Sequence, residues 1–127
     1  MEKAYIKAIS YYLPEKELTN ENLVQEFPEW SAEKVAKKIG ISVRHISADD
    51  ETAADMAFAA ANNLLEEHRI NPETIDFVML CTQSPDYFLP TSACILQNRL
   101  GIPTSAGAID FNLGCSGFVM DLRWQKV

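Results

Sequence analysis

The sequence lacks any long hydrophobic run. No window of its 127 residues approaches the roughly 18 consecutive apolar residues that a membrane-spanning helix requires. The first residues also do not combine a charged region with an apolar signal core. We therefore expect a protein of the cytoplasm that is not inserted in a membrane.

Basic residues are scarce as well. Eleven lysines and arginines stand against eighteen aspartates and glutamates, so the formal net charge is −7 at pH 7. This balance argues against non-specific binding to nucleic acid or to anionic membranes, because both are polyanions. Any binding site for an anion must therefore be formed by a local group of basic residues.

Cysteines are few, and their spacing excludes the common zinc sites. The three cysteines, Cys81, Cys94 and Cys115, are an odd number and form no Cys-x-x-Cys or Cys/His ligand pattern. We therefore expect free thiols in a reducing compartment and no metal site. With 47% hydrophobic residues, a chain of this length can bury a core without disulfides or a metal.

What is present is an alternation of strand and helix patterns. In chain order, the patterns predict a strand over 4–12, short helices capped by Thr19 or Asn20 and by Ser31, an extended segment over 41–46, a helix from Thr52 to about His68, a strand over 75–82, a helix over 92–100 and a strand over 106–112. The alternation predicts an α/β fold with a parallel sheet. No repeat, linker or composition shift divides the chain, so we expect one domain over residues 1–127.

The nearly continuous apolar run over 77–81 is typical of a strand that is covered on both faces of a parallel sheet. Ligands of such sheets usually lie beyond the carboxyl ends of the strands. The loops over 83–90 and 112–117 are therefore the candidate sites.

Cys115 lies where the last apolar strand leads into a predicted helix. A helix N-terminus presents unpaired N–H groups and positive potential, which stabilise a thiolate and can hold a developing oxyanion. Gly114 and Gly117 would leave room for a substrate. The residues alone leave two interpretations open, a nucleophile or a buried structural cysteine.

The stretch Ala108-Ile-Asp-Phe-Asn-Leu-Gly-Cys115-Ser-Gly-Phe-Val119 resembles the active-cysteine segment of the ketoacyl-acyl-carrier-protein synthase III family of the thiolase superfamily. Further similar segments follow in the family's order: Leu13-Pro14-Glu15 with Thr19-Asn20, Lys38-Ile39-Gly40-Ile41 with Arg44, Ile75-Asp76, Thr82-Gln-Ser-Pro-Asp86, Pro90-Thr-Ser-Ala-Cys94 and Leu100-Gly101. The resemblance runs from about residue 5 to residue 119. It implies a thiolase-like fold, of which the chain holds part of the N-terminal half.

The resemblance also implies a reaction. An acyl group moves from acyl-coenzyme A to Cys115, whose own N–H helps to bind the oxyanion, and is then condensed with malonyl-acyl-carrier protein in fatty-acid biosynthesis. No tightly bound cofactor is implied, since acyl-CoA is a substrate. The implied partners are acyl-CoA, acyl carrier protein and a second copy of the chain.

In the family, a His and an Asn downstream of the cysteine drive decarboxylation. The two histidines here, His45 and His68, match neither position, and we expect structural or solvated roles for both. The chain alone is therefore expected not to complete condensation. The alternative is a non-catalytic fragment that acts as an acyl-CoA- or partner-binding domain.

The tail departs from the family's small, apolar pattern. Asp121, Arg123 and Lys126 would each cost several kcal/mol if buried unpaired, so we expect partial exposure of the last helix and a truncated or altered chain end.

The resemblance implies that three residues contact coenzyme A: Trp30, Lys38 and Arg44. Lys34, Lys37 and Lys38 recur at helical spacing, which predicts an anion patch, although for Lys34 and Lys37 a solvated helix face is the open alternative.

The loop over 84–90 carries Tyr87, Phe88 and Leu89, which solvent would disfavour. The resemblance assigns this loop to a homodimer interface and acyl pocket. The open alternative is a lid packed on its own core. Cys81 and Cys94 are expected to be small core residues, and Asp110 to make hydrogen bonds at its strand end.

Overall fold

A computed structural model of the chain describes residues 5–124 and the side chains of residues 5–120. The chain forms two compact units. The small unit is Leu13–Glu51, and the large unit combines the segment before Leu13 with the chain from Thr52 onward. Within the described residues, no helix has both the length and the apolar character to cross a membrane.

The small unit contains two strands and two helices. In chain order they are β1 (Lys16–Thr19), α1 (Asn20–Glu26), α2 (Ala32–Ile39) and β2 (Val43–Ile46). β1 pairs antiparallel with β2, with Lys16 opposite Ile46 and Thr19 opposite Val43. The predicted extended segment over 41–46 is thus confirmed as β2, whereas β1 carried no strand signal that sequence reading detected.

Both helices of the small unit begin where their capping residues predict. The Thr19 side chain accepts a hydrogen bond from the Asn22 N–H, and the Ser31 side chain accepts one from the Lys34 N–H. α2 ends at Gly40, whose φ of 76° lies in the left-handed region that favours glycine. Local chemistry therefore determines these boundaries.

The large unit is built on a strand-helix-strand crossover. Its elements are α3 (Ala53–Glu67), a 3₁₀ turn (Pro72–Thr74), β3 (Phe77–Cys81), α4 (Ser92–Arg99), β4 (Gly107–Phe111) and α5 (Gly117–Trp124). β3 and β4 are parallel neighbours, with Phe77 beside Gly107 and Cys81 beside Phe111. The predicted parallel α/β arrangement is confirmed.

The prediction of a strand over 4–12 is wrong for its described part, because residues 5–12 form no strand. A strand needs a hydrogen-bonded neighbour, and within residues 5–124 each sheet contains two other strands. The segment instead lies along α3, where the Ser10 hydroxyl donates to Glu67 at 3.1 Å and the Asn63 amide donates to the Tyr11 carbonyl at 3.4 Å.

The expected cover on both faces of β3 is also absent in the described residues. Val78 is buried in the core with Ala93 and Leu96 of α4, but Phe77 is 56% exposed. Successive strand residues point to opposite faces, so the helices cover one face of the apolar run and leave the beginning of the other open.

α4 takes its N-terminal cap from a neighbouring strand. The residue before it, Thr91, makes no side-chain capping hydrogen bond. Instead, the Asp110 carboxylate in β4 accepts hydrogen bonds from the N–H groups of Ser92 at 2.7 Å and Ala93 at 2.6 Å. Both donors belong to fully buried residues. A negative charge is also favoured at this end of the helix dipole. The expectation that Asp110 makes hydrogen bonds is confirmed.

Replacing Asp110 by Ala is expected to lower the free energy of unfolding by about 2–4 kcal/mol, because two buried N–H groups lose their charged acceptor. Urea unfolding measures the change. The exposed Asp76 provides a matched control, since Asp76→Ala should change stability by about 0.5 kcal/mol or less. Equal midpoints for the two variants would contradict this account of the cap.

Candidate active site

Cys115 occupies the turn between β4 and α5. Its thiol is exposed and free. The turn is closed by a hydrogen bond from the Gly117 N–H to the Gly114 carbonyl at 2.8 Å, and α5 continues with Met120 N–H donating to the Ser116 carbonyl at 3.1 Å. The structure therefore places this thiol where a parallel strand leads into a helix, outside the core.

The sulfur of Cys81 lies directly beneath this turn. Its thiol donates to the Leu113 carbonyl at 3.4 Å, and a Cβ atom added at Gly117 would overlap the same sulfur. The expectation that Gly117 leaves room for a substrate is therefore wrong, because the protein's own side chain fills that space. At Gly114, an added Cβ would lie 3.6 Å from Gln83 Oε1, an ordinary contact that sequence reading missed.

The other two cysteines differ in exposure. Cys81 is half-buried, whereas Cys94 is exposed, so the prediction that Cys94 is a core residue is wrong. The buried side of α4 consists of Ser92, Ala93, Leu96 and Gln97. Cys94 lies off that side, and its sulfur accepts a hydrogen bond from the Thr91 hydroxyl at 3.2 Å. The spacing of the buried residues along α4 would have predicted that Cys94 is exposed.

The loop over 83–90 holds its apolar residues in solvent. Tyr87, Phe88 and Leu89 are 61%, 96% and 83% exposed. The alternative of a lid packed on its own core is therefore wrong. We call these three residues the apolar tip.

The base of the same loop is fixed by Asp86. Its N–H donates to the Ser92 side chain at 3.1 Å, and its carboxylate accepts from the Thr52 hydroxyl at 3.0 Å and from the Ala54 N–H at 3.4 Å. Asp86 thus connects the loop to the starts of both α3 and α4. Sequence reading missed this role, because no local pattern relates residue 86 to residue 52.

The start of α3 carries a second carboxylate. Asp55 forms a capping box with Thr52, and Arg99 of α4 lies 2.7 Å from its Oδ1. The hydrogen bond from Arg99, followed by those from Thr52, lowers the pKa of Asp55 below its ordinary value. Asp55 therefore stays ionised to lower pH and contributes stability that is lost as the pH falls through its folded-state pKa.

In the small unit, the structure brings Trp30 and Lys38 together. Trp30 is half-buried, and the Nζ atoms of Lys34 and Lys38 lie 4.9 and 5.0 Å from its ring centroid. Both are cation–π distances. The indole also lines an apolar cavity of about 150 Å³, whose other lining residues are Leu23, Val24, Phe27, Val35 and Ile39.

Arg44 has a different neighbour. Its guanidinium donates to Asn20 Oδ1 at 2.9 Å, and the buried Asn20 in turn donates to the Ile41 carbonyl at 2.9 Å. Asn20 is therefore the residue that orients Arg44. The sequence predicted Asn20 as a possible helix cap and as part of a segment similar to the family, but not as a partner of Arg44.

The two histidines have the surroundings expected of structural or solvated residues. His45 Nδ1 lies 2.7 Å from the Pro14 carbonyl oxygen, and its Nε2 lies 3.8 Å from Glu17. His68 is the exposed C-cap of α3. Among the side chains of residues 5–120, no three His, Cys, Asp or Glu are grouped to hold a metal ion.

The last helix is exposed where its side chains are described. Phe118 and Val119 are 65% and 62% exposed. The side chains of Asp121, Arg123 and Lys126, on which the prediction about the tail depends, lie outside the described residues.

Known proteins resemble this chain along most of its length. It is 37% identical over 121 residues to β-ketoacyl-[acyl-carrier-protein] synthase III 2 of Halalkalibacterium halodurans, a match that covers 95% of this chain and 36% of the relative. It is 43% identical over 111 residues to β-ketoacyl-[acyl-carrier-protein] synthase III of Methylococcus capsulatus, which covers 87% of this chain and 34% of the relative. No family model matches the chain.

A solved structure agrees in fold. A crystal structure of 3-oxoacyl-(acyl-carrier-protein) synthase III superposes with a TM-score of 0.87 at 56% identity, over 93% of this chain and 35% of that one. The chain spans about a third of the length of the curated relatives it matches. By sequence and by its thiolase-like fold, the chain belongs to the β-ketoacyl-acyl-carrier-protein synthase III family and corresponds to an N-terminal portion of it.

Proposed function

We propose that this chain carries the acyl-accepting site of a 3-oxoacyl-acyl-carrier-protein synthase III. The observation that carries the proposal is the exposed Cys115 thiol in the turn between β4 and α5. In its thiolate form the sulfur attacks the thioester carbonyl of acyl-CoA. The carbon–sulfur bond to coenzyme A breaks, the coenzyme leaves as its thiolate, and the acyl group stays on Cys115.

The turn supports this step through its backbone. The negative charge that develops on the carbonyl oxygen needs N–H donors that are already in place. The first N–H groups of a helix have no partner within the helix, and at the start of α5 the Gly117 N–H is used by the Gly114 carbonyl, so the donors must come from neighbouring residues of the turn. The Cys115 N–H is the donor that the family resemblance assigns. The half-buried Cys81 sulfur beneath Gly117 packs against the start of the helix.

Incubation of the 127-residue protein with acetyl-CoA is expected to add one acetyl group, as measured by intact mass. Cys115→Ala should abolish the increment, because the nucleophile is gone. The matched control is Cys94→Ala, which removes another exposed thiol and should leave acylation intact. An acetyl group that persists in Cys115→Ala would contradict the assignment.

The same incubation with malonyl-acyl-carrier protein added should give no ketoacyl product. The two histidines of the chain match neither the His nor the Asn that drives decarboxylation in the family, so the resemblance assigns no imidazole of this chain to the enolate at Cys115. If no acetyl group is transferred but acetyl-CoA still binds, the alternative of an acyl-CoA-binding domain is favoured.

We further propose that Trp30, Lys38 and Arg44 hold the nucleotide end of acyl-CoA. An indole with two ammonium groups over its ring combines an aromatic side chain, which suits a base, with positive charge, which suits phosphates. Arg44 is held in place by Asn20, which favours a fixed contact to a phosphate.

Lys38→Glu is then expected to raise the acetyl-CoA concentration needed for half-maximal acylation at least about tenfold, since one charge-assisted contact contributes about 1.5–3 kcal/mol. Acylation by a short thioester without a nucleotide should be unaffected. Lys37→Glu makes the same charge change one residue away, on a side chain that is not one of the two over the indole. Equal effects of the two variants would argue against a specific contact.

The apolar tip is proposed to form an interface between two copies of the chain and to shape the acyl pocket. Its three side chains are exposed on a loop whose base is anchored through Asp86. The tip can therefore bind a partner with a smaller loss of conformational entropy than a flexible loop would suffer.

Phe88→Asp should therefore convert a dimer into a monomer in sedimentation velocity. Burying this side chain contributes about 1.5–3 kcal/mol for each copy, so the dissociation constant should rise at least about tenfold. Ile41→Asp, at another exposed apolar residue, should leave the dimer intact. A parent protein that is monomeric at all concentrations would contradict the proposed interface.

A further inference from the structure

The segment that leads from β4 to α5 contacts the thiol of Cys81 at two residues. Phe111 pairs with Cys81 in the parallel sheet, and the Phe111 carbonyl accepts from the Thr82 N–H at 3.2 Å. Two residues later, the Leu113 carbonyl accepts from the Cys81 thiol at 3.4 Å, and Gly117 packs so closely on the same sulfur that a methyl group there would overlap it.

Cys115 lies midway along this segment. It is two residues from Leu113 and two from Gly117, both of which contact the Cys81 sulfur. Successive Cα atoms are about 3.8 Å apart, so the Cα of residue 115 lies within about 7.6 Å of the Cα atoms of both contact residues. The segment thus places the exposed Cys115 between two residues that both contact the half-buried Cys81 sulfur.

We propose that Cys81 and Cys115 form a peroxide-sensitive thiol pair, in which Cys115 is the oxidised thiol and Cys81 the resolving thiol that closes a disulfide. The disulfide rests on the contacts of Leu113 and Gly117, on either side of Cys115, with the Cys81 sulfur. Its consequence, reversible blockage of acyl transfer, rests on the proposed function of Cys115. The two thiols would make this turn a site that peroxides modify.

The chemistry proceeds in two balanced steps. The Cys115 thiolate attacks one oxygen of hydrogen peroxide, an S–O bond forms, the O–O bond breaks, and hydroxide leaves and is protonated to water. Cys115 is now a sulfenic acid, oxidised by two electrons that the peroxide has accepted. The Cys81 sulfur then attacks the Cys115 sulfur, the S–S bond forms, and the S–O bond breaks. The departing hydroxide takes the Cys81 proton and leaves as a second water.

The difference in exposure sets the order of the two thiols. An exposed thiol meets peroxide first, and a thiol packed beneath it is protected from the bulk oxidant but close to the sulfenic acid. Cys115 also lies in a turn outside the helix, so its backbone can adjust to the geometry of a disulfide without unwinding α5.

Cys94 provides an internal control. Its thiol is as accessible as that of Cys115, but it lies on α4, where its hydrogen-bond partner is Thr91. If exposure alone determined oxidation, Cys94 would be modified to the same extent. The proposal requires that Cys115 pairs with Cys81 and not with Cys94.

The test treats the intact 127-residue protein with stoichiometric hydrogen peroxide, followed by alkylation and peptide mapping. The expected product is a monomer lighter by two hydrogens, with a single Cys81–Cys115 cross-link and an alkylated Cys94. Cys94→Ser should give the same cross-link. With the resolving thiol absent, Cys81→Ser should instead hold Cys115 as a sulfenic acid, which excess peroxide oxidises further to a sulfinic or sulfonic acid. After treatment with excess peroxide, dithiothreitol should therefore restore acylation only when Cys81 is present.

The outcomes separate the two proposals. A cross-link in a protein that never accepts an acetyl group would support the thiol pair and contradict the proposed function. An acylated protein in which peroxide gives no cross-link, or a cross-link that involves Cys94, would overturn the thiol pair and leave the proposed function standing. Cys81→Ala, with a still smaller side chain, should agree with Cys81→Ser and so exclude an effect of the serine hydroxyl.

Discussion

The parallel pairing of β3 with β4 is the constraint on which the candidate site depends. Because Cys81 stands beside Phe111, both strands end at the same edge, and the two loops that follow them leave from adjacent points. One loop carries the apolar tip and the other carries Cys115. A shift of this register by one residue would move the Cys81 side chain to the opposite face of the sheet and remove the contact beneath α5.

Carboxylates hold the elements around this pair in position. Asp110 caps α4 from β4, Asp86 connects the loop to α3, and Asp55 completes the capping box of α3 while pairing with Arg99. All three act at helix N-termini, where the dipole favours negative charge. Part of the excess of acidic residues over basic residues therefore serves to cap helices, and it is not explained by repulsion of polyanions.

Sequence patterns predicted the elements that depend on local chemistry. Thr19, Ser31 and Thr52 mark helix starts through hydrogen bonds within a few residues, and the structure confirms each boundary. The turn at Cys115 followed from the strand pattern before it. The failures involve distant partners: the segment over 5–12 lies along α3 instead of joining a sheet, and the cap of α4 comes from Asp110, eighteen residues after Ser92. These contacts join residues that are far apart in the sequence, so no short stretch of sequence predicts them.

The contact between Cys81 and Gly117 ties two distant positions of the chain to each other. The sulfur fills the volume that any side chain at position 117 would need, so a side chain there would force the Cys81 sulfur to move. With alanine at position 81, its Cβ would lie at an ordinary distance of 3.6 Å from a new methyl group, although Leu113 would still have to give way slightly. The residues that positions 81 and 117 can accept are therefore correlated, and substitutions in this turn are tolerated mainly when both positions change together.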